Sequence, residues 1–503
     1  MARGGISTTV VVIGGGCSGT LAAIHLLRGW PDGSLSVVIV EPETVGPGLA
    51  YSTPFDHHLL NSPATAMSAY PDRPNHFVEW AHKRFPARCT SSKFLPRNLY
   101  GKYLESVLAD EAKASSRTMS LVRLKGKVSN VSCPNGTKRA FVSLETGGHF
   151  EADRVVLALG NLAPADPAVA NAEFYRSARY VADPWAAGAL ESLQGAVLFV
   201  GTGLTAVDAV LALDELGHTD PVHAVSRRGL LPLPHSLSGP VPPHAHPDFA
   251  EFLAHSDAGT LRARDVLAWL RSTAERSEDW RIAVDHLRPY TPTIWSALPD
   301  EERSRFLRHA LRYWEVHRHR MAPGVADRIT ALTEAGRFQV HVGNVERFEL
   351  YDDGVRAVLR SPRDSAQVRP ELPRVAHVVN CTGPQSYVTA AGDRLLDRLL
   401  VSGHVRPGPL GLGLDVDSDC AVIDARGEVR GILWAIGPLC KGVLWETTAV
   451  PEIRAQAVAL SEVLGSPPNS VRRSSLSGGE YDRHLLDARD EAGRTARKLV
   501  VGS

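Results

Sequence analysis

Two glycine-rich turns dominate the chemistry available to this sequence. The first reads V-V-V-I-G-G-G-C-S-G over 10–19, and the second reads V-L-F-V-G-T-G-L-T-A-V-D-A-V over 197–210. In the first, Gly14, Gly16 and Gly19 fit G-x-G-x-x-G. Gly14 allows a tight turn, Gly16 lets the backbone approach a pyrophosphate, and Gly19 lets a helix pack closely on a strand. A helix over Ser18–Leu27 would aim its N-terminal N–H groups and positive dipole end at phosphate. Glu41 closes the next apolar run, 22 residues beyond Gly19, where a carboxylate accepts hydrogen bonds from ribose hydroxyls. A purely structural glycine turn is the plain alternative. Strand, helix and acid all stand where a dinucleotide needs them.

The second turn is looser. Gly201 and Gly203 match, and Ala206 is an accepted variant at the third position. The strand that follows, Pro221–Val225, ends in Ser226, Arg227, Arg228 and Gly229 rather than in an acid. An acid would repel a 2′-phosphate, whereas two guanidiniums and a hydroxyl would hold one. The second nucleotide is therefore expected to be NADPH; solvated surface charge is the alternative for the arginine pair. By analogy with flavoenzymes that bind two dinucleotides, the first turn is expected to take FAD. Hydride would then pass from nicotinamide to flavin.

These turns require particular elements behind them. Thr9–Ile13 is a β-branched run that suits a central parallel strand buried on both faces. R-V-V-L-A-L-G-N-L-A (154–163) and A-H-V-V-N-C-T-G (376–383) are apolar strands that run into Gly160 and Gly383. The first would leave the FAD domain and the second would return to it. The expected fold class is α/β, with two Rossmann-like dinucleotide-binding domains and the NADPH domain inserted in a discontinuous FAD domain. The boundaries expected are 1–190 for the first part of the FAD domain, 191–374 for the NADPH domain and 375–465 for the second part. A polar tail, 466–503, would carry at most a short helix at 480–498. Within the NADPH domain, 230–320 does not read as Rossmann. A Pro/His-rich loop is followed by amphipathic helices near 260–276 and 299–319, the latter with Phe306, Leu307, Ala310, Leu311 and Trp314 on one face. This is expected to be a helical insertion that covers the active site.

Bulk composition excludes several classes. The 503 residues favour two or three domains. Apolar content of 44% and charged content of 22% are ordinary for a globular chain. With 55 basic and 55 acidic residues there is no global field to recruit nucleic acid or an anionic membrane. No apolar run reaches about 18 residues, so no transmembrane helix is expected. M-A-R-G-G-I-S leads straight into a strand without the apolar stretch of a signal peptide, which gives a cytoplasmic expectation. None of Cys17, Cys89, Cys133, Cys381, Cys420 and Cys440 forms C-x-x-C, against zinc ribbons, iron–sulfur clusters and a redox-active dithiol. His235, His244 and His246 sit in the Pro-rich loop without ligand-like partners, so no metal is expected.

Beyond the glycine turns, the chain resembles a bacterial family of FAD/NAD(P)-binding proteins that includes flavin-dependent aspartate N-monooxygenases and FAD-dependent urate hydroxylases. The matching stretches include G-P-G-L-A-Y-S-T (46–53), H-L-L-N-S-P-A-T-A-M-S (58–68), L-P-R-N-L-Y-G-K-Y-L (95–104), S-R-R-G-L-L-P (226–232), V-H-R-H-R-M (316–321) and G-P-L-C-K-G-V-L-W-E-T-T-A (437–449). The family looks like a branch of the class B flavin monooxygenases. Asn61-Ser-Pro63-x-x-x-Met67 is similar to the N-x-P-x-x-x-M stretch of flavin-containing monooxygenases, where the asparagine lies beside the flavin's reactive edge. The resemblance implies a catalytic Asn61 and a cofactor contact at Met67. An amide offers donor and acceptor together to an oxygenated flavin and the NADP⁺ carboxamide; a turn that merely shapes the FAD site is the alternative. The C-terminal stretch, with Gly437 and Trp445, departs from the G-D signature of many flavoproteins. A helix after Gly437-Pro438 would still aim its N-terminus at the flavin pyrimidine.

The resemblance implies oxygen addition to reduced FAD, giving a C4a-(hydro)peroxide whose distal oxygen goes to a small polar substrate. N-hydroxylation of an amino acid such as aspartate is the reading favoured here. Arg97, Lys102, His317, Arg318, His319 and Arg320 are candidates for an anionic substrate group. Residues 317–320 share one helical turn and cannot all face one pocket, so a solvent-facing basic helix end is the alternative. Ring hydroxylation of urate or a similar heterocycle, NADPH:acceptor reduction without oxygen insertion, and non-catalytic flavin binding are the competing readings.

Overall fold

The computed structural model describes residues 7–31, 33–89, 93–134, 136–236, 247–254, 260–360 and 371–466. The helix expected at 480–498, the rest of the tail beyond 466, His244 and His246 lie outside the described residues. Two parallel sheets organise the chain. The first has the order Ala421–Ile423, Val429–Ala435, Arg154–Leu157, Thr8–Ile13, Leu35–Glu41, Met119–Lys125, and only the Ala421–Ile423 edge is antiparallel. Thr8–Ile13 is central, pairing Val10 with Val37 and Ile13 with Val40. Val10, Val11 and Val12 are fully buried, as a β-branched run covered on both faces must be. The helix Cys17–Gly29 lies on this sheet and is buried from Ser18 to Leu27. It packs between the helices Arg97–Ala114 and Val450–Gly465.

The second sheet has the order Phe338–Val342, Val222–Ser226, Val197–Val200, His377–Asn380, Tyr180–Val181, all parallel. It takes in short strands on the outer sides of residues 191 and 374. The two chain crossings between the sheets run side by side, joined by a bridge between Leu162 and Gln385. The NADPH-type unit is thus inserted in a discontinuous first unit, an α/β fold with two Rossmann-like halves.

The insertion is more helical than its sequence pattern implies. Ala263–Arg276 matches the first expected helix, and the second is pinched at Ala310 into Asp300–His309 and Leu311–Arg318. Phe306, Leu307, Leu311 and Trp314 still reach one apolar cluster with Trp295, Leu412 and Trp445. Pro247–Ala254, Trp280–Leu287 and Thr291–Ala297 are additional helices. Pro289 and Pro292 hide the last stretch from a periodicity reading. They sit at helix starts, where a missing N–H costs nothing.

The insertion docks on the returning part of the first unit. Trp295 stacks on Trp445 at 4.3 Å and its Nε1 donates to the Gly442 carbonyl at 2.8 Å. Arg288 forks onto Glu452 at 2.6 and 2.7 Å, and Arg318 donates to Glu446 at 3.0 Å. Burial pushes the Glu452 carboxyl up, but Arg288 and Arg318 outweigh it and hold it down at about 2. A depressed carboxylate contributes stability that is complete above its unfolded value of about 4.3 and is lost as pH falls toward 2. That contribution is about 3 kcal/mol. Burial also lowers His25 and His235 to about 4, so their loss of stability starts earlier, from about 6.5 downward. Unfolding measured by denaturant between pH 2 and 7 is expected to show both declines. Glu452→Gln is expected to flatten only the lower one.

Among the described residues, no helix is long and apolar enough to cross a membrane. No group of three or more His, Cys, Asp or Glu among them is placed to hold a metal ion. All six cysteines are free thiols.

Candidate active site

The first sheet delivers the chain to Gly14 at its carboxyl edge. Gly14 has φ +101°, and a Cβ there would lie 2.4 Å from the Ala158 carbonyl oxygen. A Cβ on Gly19 would stand 1.9 Å from the Gly14 oxygen, so both positions admit only glycine. Gly16 differs. Its φ of −70° is ordinary, and its Cβ would meet only Gly48 Cα, at 3.4 Å. The space over Gly16 is open, beside the first-turn N–H groups of a helix that starts at Cys17, one residue before the expected Ser18. Glu41 stands at the same edge and accepts from the Gly15 amide at 2.6 Å. An open cradle of amides with a carboxylate beside it fits the pyrophosphate and ribose of FAD. Gly160, at φ +68°, has no atom within 4 Å of its Cβ position.

The returning segment closes on this cradle. The Gly437 amide donates to Gln456 Oε1 at 2.8 Å, and a Cβ on Gly437 would lie 2.4 Å from Ser18 Oγ. After Gly437 come only short turns, Gly437–Cys440 and Lys441–Leu444; the long helix begins at Val450. Trp445, with φ +60°, is buried under Trp295 and Phe306. It anchors the insertion on the returning segment. Met67 is 3% exposed and belongs to the first core.

The second turn repeats the geometry. Gly201 has φ +120° and its Cβ would strike the Cys381 carbonyl oxygen at 2.2 Å. Gly203, the N-cap of Leu204–Glu215, has open space where a Cβ would be, and Gly383 does too. Ala206 is fully buried, where a small side chain lets helix meet strand. Ser226 Oγ is 2.9 Å from Thr202 Oγ1 and accepts from the Gly229 amide at 3.0 Å, so it shapes the turn. Arg227 is exposed, and Arg228 lies over the Tyr313 ring. The open amide turn and the arginine pair fit a phosphorylated dinucleotide such as NADPH.

Asn61 lies where the two units meet. His235, from the second unit's loop, donates through Nε2 to the Asn61 carbonyl at 2.9 Å. Nε2 must carry the proton, because a carbonyl only accepts. Burial keeps this imidazole neutral down to about pH 4, and its Nδ1 is buried without a partner. The Asn61 side-chain amide makes no hydrogen bond to any described residue.

The expected substrate cluster is dispersed. Arg97 forks onto Asp208 at 2.5 and 3.2 Å and bonds the Leu59 carbonyl, clamping one unit to the other. His58 reinforces the clamp, donating to the Asp208 carbonyl at 2.8 Å. Lys102 is exposed and lies over Phe85. His317 turns back to the Tyr313 carbonyl at 2.7 Å and packs on Trp280. Arg318 is paired with Glu446, and Arg320 with Asp285. Burial lowers the pKa of His319. Arg97, Arg318 and Arg320 are thus engaged in ion pairs within the protein.

Other residues emerge only from the structure. Asp208 had a signal in the sequence: an acid inside the apolar stretch L-T-A-V-D-A-V-L-A-L needs a buried cation. Lys441 is a second case. It lies over Trp445, 3.3 Å from Ser386 Oγ, and burial lowers its pKa.

A protein family described as FAD-NAD(P)-binding matches residues 11–162, the span of the first cradle. No curated protein matches the chain. Among solved structures, the chain is similar to ornithine hydroxylase from Pseudomonas aeruginosa, with 14% identity and a TM-score of 0.59 over 92% of this chain and 99% of that one. It is similar to ornithine N-hydroxylase from Kutzneria sp. 744, solved with reduced FAD, NADP⁺ and L-ornithine, at 14% identity and TM-score 0.57 over 91% and 99%. It is also similar to bacillithiol disulfide reductase from Staphylococcus aureus, at 12% identity and TM-score 0.53 over 91% and 98%. The shared architecture is the two-unit dinucleotide fold.

Proposed function

We propose that this chain is an FAD- and NADPH-dependent monooxygenase that N-hydroxylates a small amine-bearing substrate, with an amino acid such as aspartate as the first candidate. One observation carries the reading: the chain holds two open dinucleotide cradles, and between its two units lies a turn whose Asn61 carbonyl is held by His235 and whose Asn61 amide has no partner among the described residues. The first cradle would hold FAD through the amides at Gly14–Gly19 and through Glu41. The second would hold NADPH through Gly201, Gly203 and the two arginines. Bound FAD supplies the redox chemistry, taking hydride from NADPH and passing electrons to oxygen. Asn61 would orient the nicotinamide amide and the reacting oxygen against the flavin edge. The insertion, docked through Trp295 and Trp445, would limit water at that edge. The substrate amine must arrive deprotonated, since only its lone pair can accept oxygen.

The amine hydroxylases of the same fold support the reaction class, and the aspartate resemblance supports an anionic member of it. The reductase of the same fold keeps reduction without oxygen insertion as the competing outcome. Anaerobic mixing of FAD-loaded protein with NADPH or NADH separates the parts. Bleaching at least tenfold faster with NADPH is expected. Equal rates with both nucleotides would contradict the cofactor assignment.

A further inference from the structure

Among the described residues, some arginines are paired with carboxylates and others, such as Arg179, Arg430 and Arg454, are held by carbonyls. Arg97, Arg288, Arg318 and Arg320 each meet a carboxylate, from Asp208, Glu452, Glu446 and Asp285. Their charge is cancelled at contact, and they have little left for a ligand. Arg228 is held by neutral groups instead. Its Nη1 donates to the Tyr313 hydroxyl at 2.9 Å, and its Nη2 lies 3.4 Å from the His309 carbonyl. Its guanidinium stands 4.7 Å over the Tyr313 ring. Arg228 is therefore fixed in place with its positive charge uncompensated. Arg227 beside it is exposed and makes no ion pair among the described residues. Both leave the strand Val222–Ser226 at a turn closed by Gly229, φ +61°.

Tyr313 comes from the insertion helix Leu311–Arg318, not from the nucleotide unit. Tyr313 is 46% exposed. Its hydroxyl accepts from Arg228 and still has its own proton to donate.

We propose that Tyr313 is a specificity-determining residue of the second nucleotide site, pre-setting Arg228 for a 2′-phosphate so that the helical insertion takes part in choosing NADPH over NADH. The proposal rests on the assignment of the second unit to NADPH. A long guanidinium side chain that moves freely must lose that freedom on binding, whereas one stacked on a ring has already lost it. Stacking also keeps the guanidinium plane fixed, as bidentate phosphate contact requires. The phenol could donate its proton to the same phosphate.

Two probes isolate the 2′-phosphate: 2′,5′-ADP and 5′-AMP, titrated calorimetrically into the full-length FAD-loaded protein. Wild type is expected to prefer 2′,5′-ADP by at least thirtyfold. Tyr313→Ala is expected to cut that ratio about tenfold while 5′-AMP affinity stays within twofold. Tyr313→Phe keeps the ring and loses the hydroxyl, and is expected to fall between. An unchanged ratio in Tyr313→Ala overturns the proposal. An equal loss for both probes also overturns it, because that marks a merely structural role. A wild type with no preference overturns the NADPH assignment itself, which is a different result and is read before any variant.

Discussion

Gly16→Val is expected to give a folded protein that no longer retains FAD. The backbone at Gly16 has φ −70° and ψ −165°, a conformation that valine adopts freely. The only atom within 4 Å of its Cβ position is Gly48 Cα, at 3.4 Å, so a side chain can start there without striking the fold. The valine methyl groups would instead block the pyrophosphate, filling the side from which it approaches the amides. FAD affinity is expected to fall at least a hundredfold, about 3 kcal/mol at the tenfold-per-1.4 kcal/mol rate. Bound flavin per protein and the thermal midpoint of the flavin-free protein are the two readouts. Gly19→Ala is the contrast. Its Cβ would stand 1.9 Å from a backbone oxygen, so helix and strand must separate, and the midpoint itself should drop. Normal flavin content in Gly16→Val would mean that the open cradle is not the dinucleotide site.

Asn61→Ala is expected to leave flavin reduction by NADPH within about twofold and to cut product formed per NADPH at least tenfold. The Asn61 backbone is held by His235, and the turn beneath it by Leu60 N–H on the Leu95 carbonyl. Neither contact uses the side chain. Removing the amide therefore spares the turn and deletes only what it offers to bound groups. A hydrogen bond to a charged or strongly polarised group contributes about 1.5–3 kcal/mol, or roughly ten- to a hundredfold in rate. The lost product should appear as hydrogen peroxide, counted with catalase in an oxygen electrode. Full coupling in the variant would reduce Asn61 to a shaping residue.

The glycine turns were legible because backbone geometry leaves no other residue at Gly14, Gly19 and Gly201. The parallel sheets followed from the same stretches, as strand, turn and helix come as one unit. Side-chain partners were not legible. Arg97 and Arg318 look like substrate ligands in sequence, yet each has a carboxylate 111 or 128 residues away. Met67 and Trp445 carry motif positions; their packing, in the first core and against the insertion, was not legible from spacing. The helix Thr291–Ala297 was not legible because Pro289 and Pro292 interrupt its pattern. Spacing reports what a backbone must do locally; pairings across distant segments arise only from the topology.

The most direct test of the central claim is isotopic. FAD-loaded protein is given NADPH, ¹⁸O₂ and a panel of small amines and amino acids, aspartate first, and products are weighed by mass spectrometry. N-hydroxylated product with one ¹⁸O atom, formed close to one per NADPH consumed, is the expected result. NADPH consumption that yields only labelled peroxide with every amine, while a disulfide or quinone is reduced instead, would contradict the account.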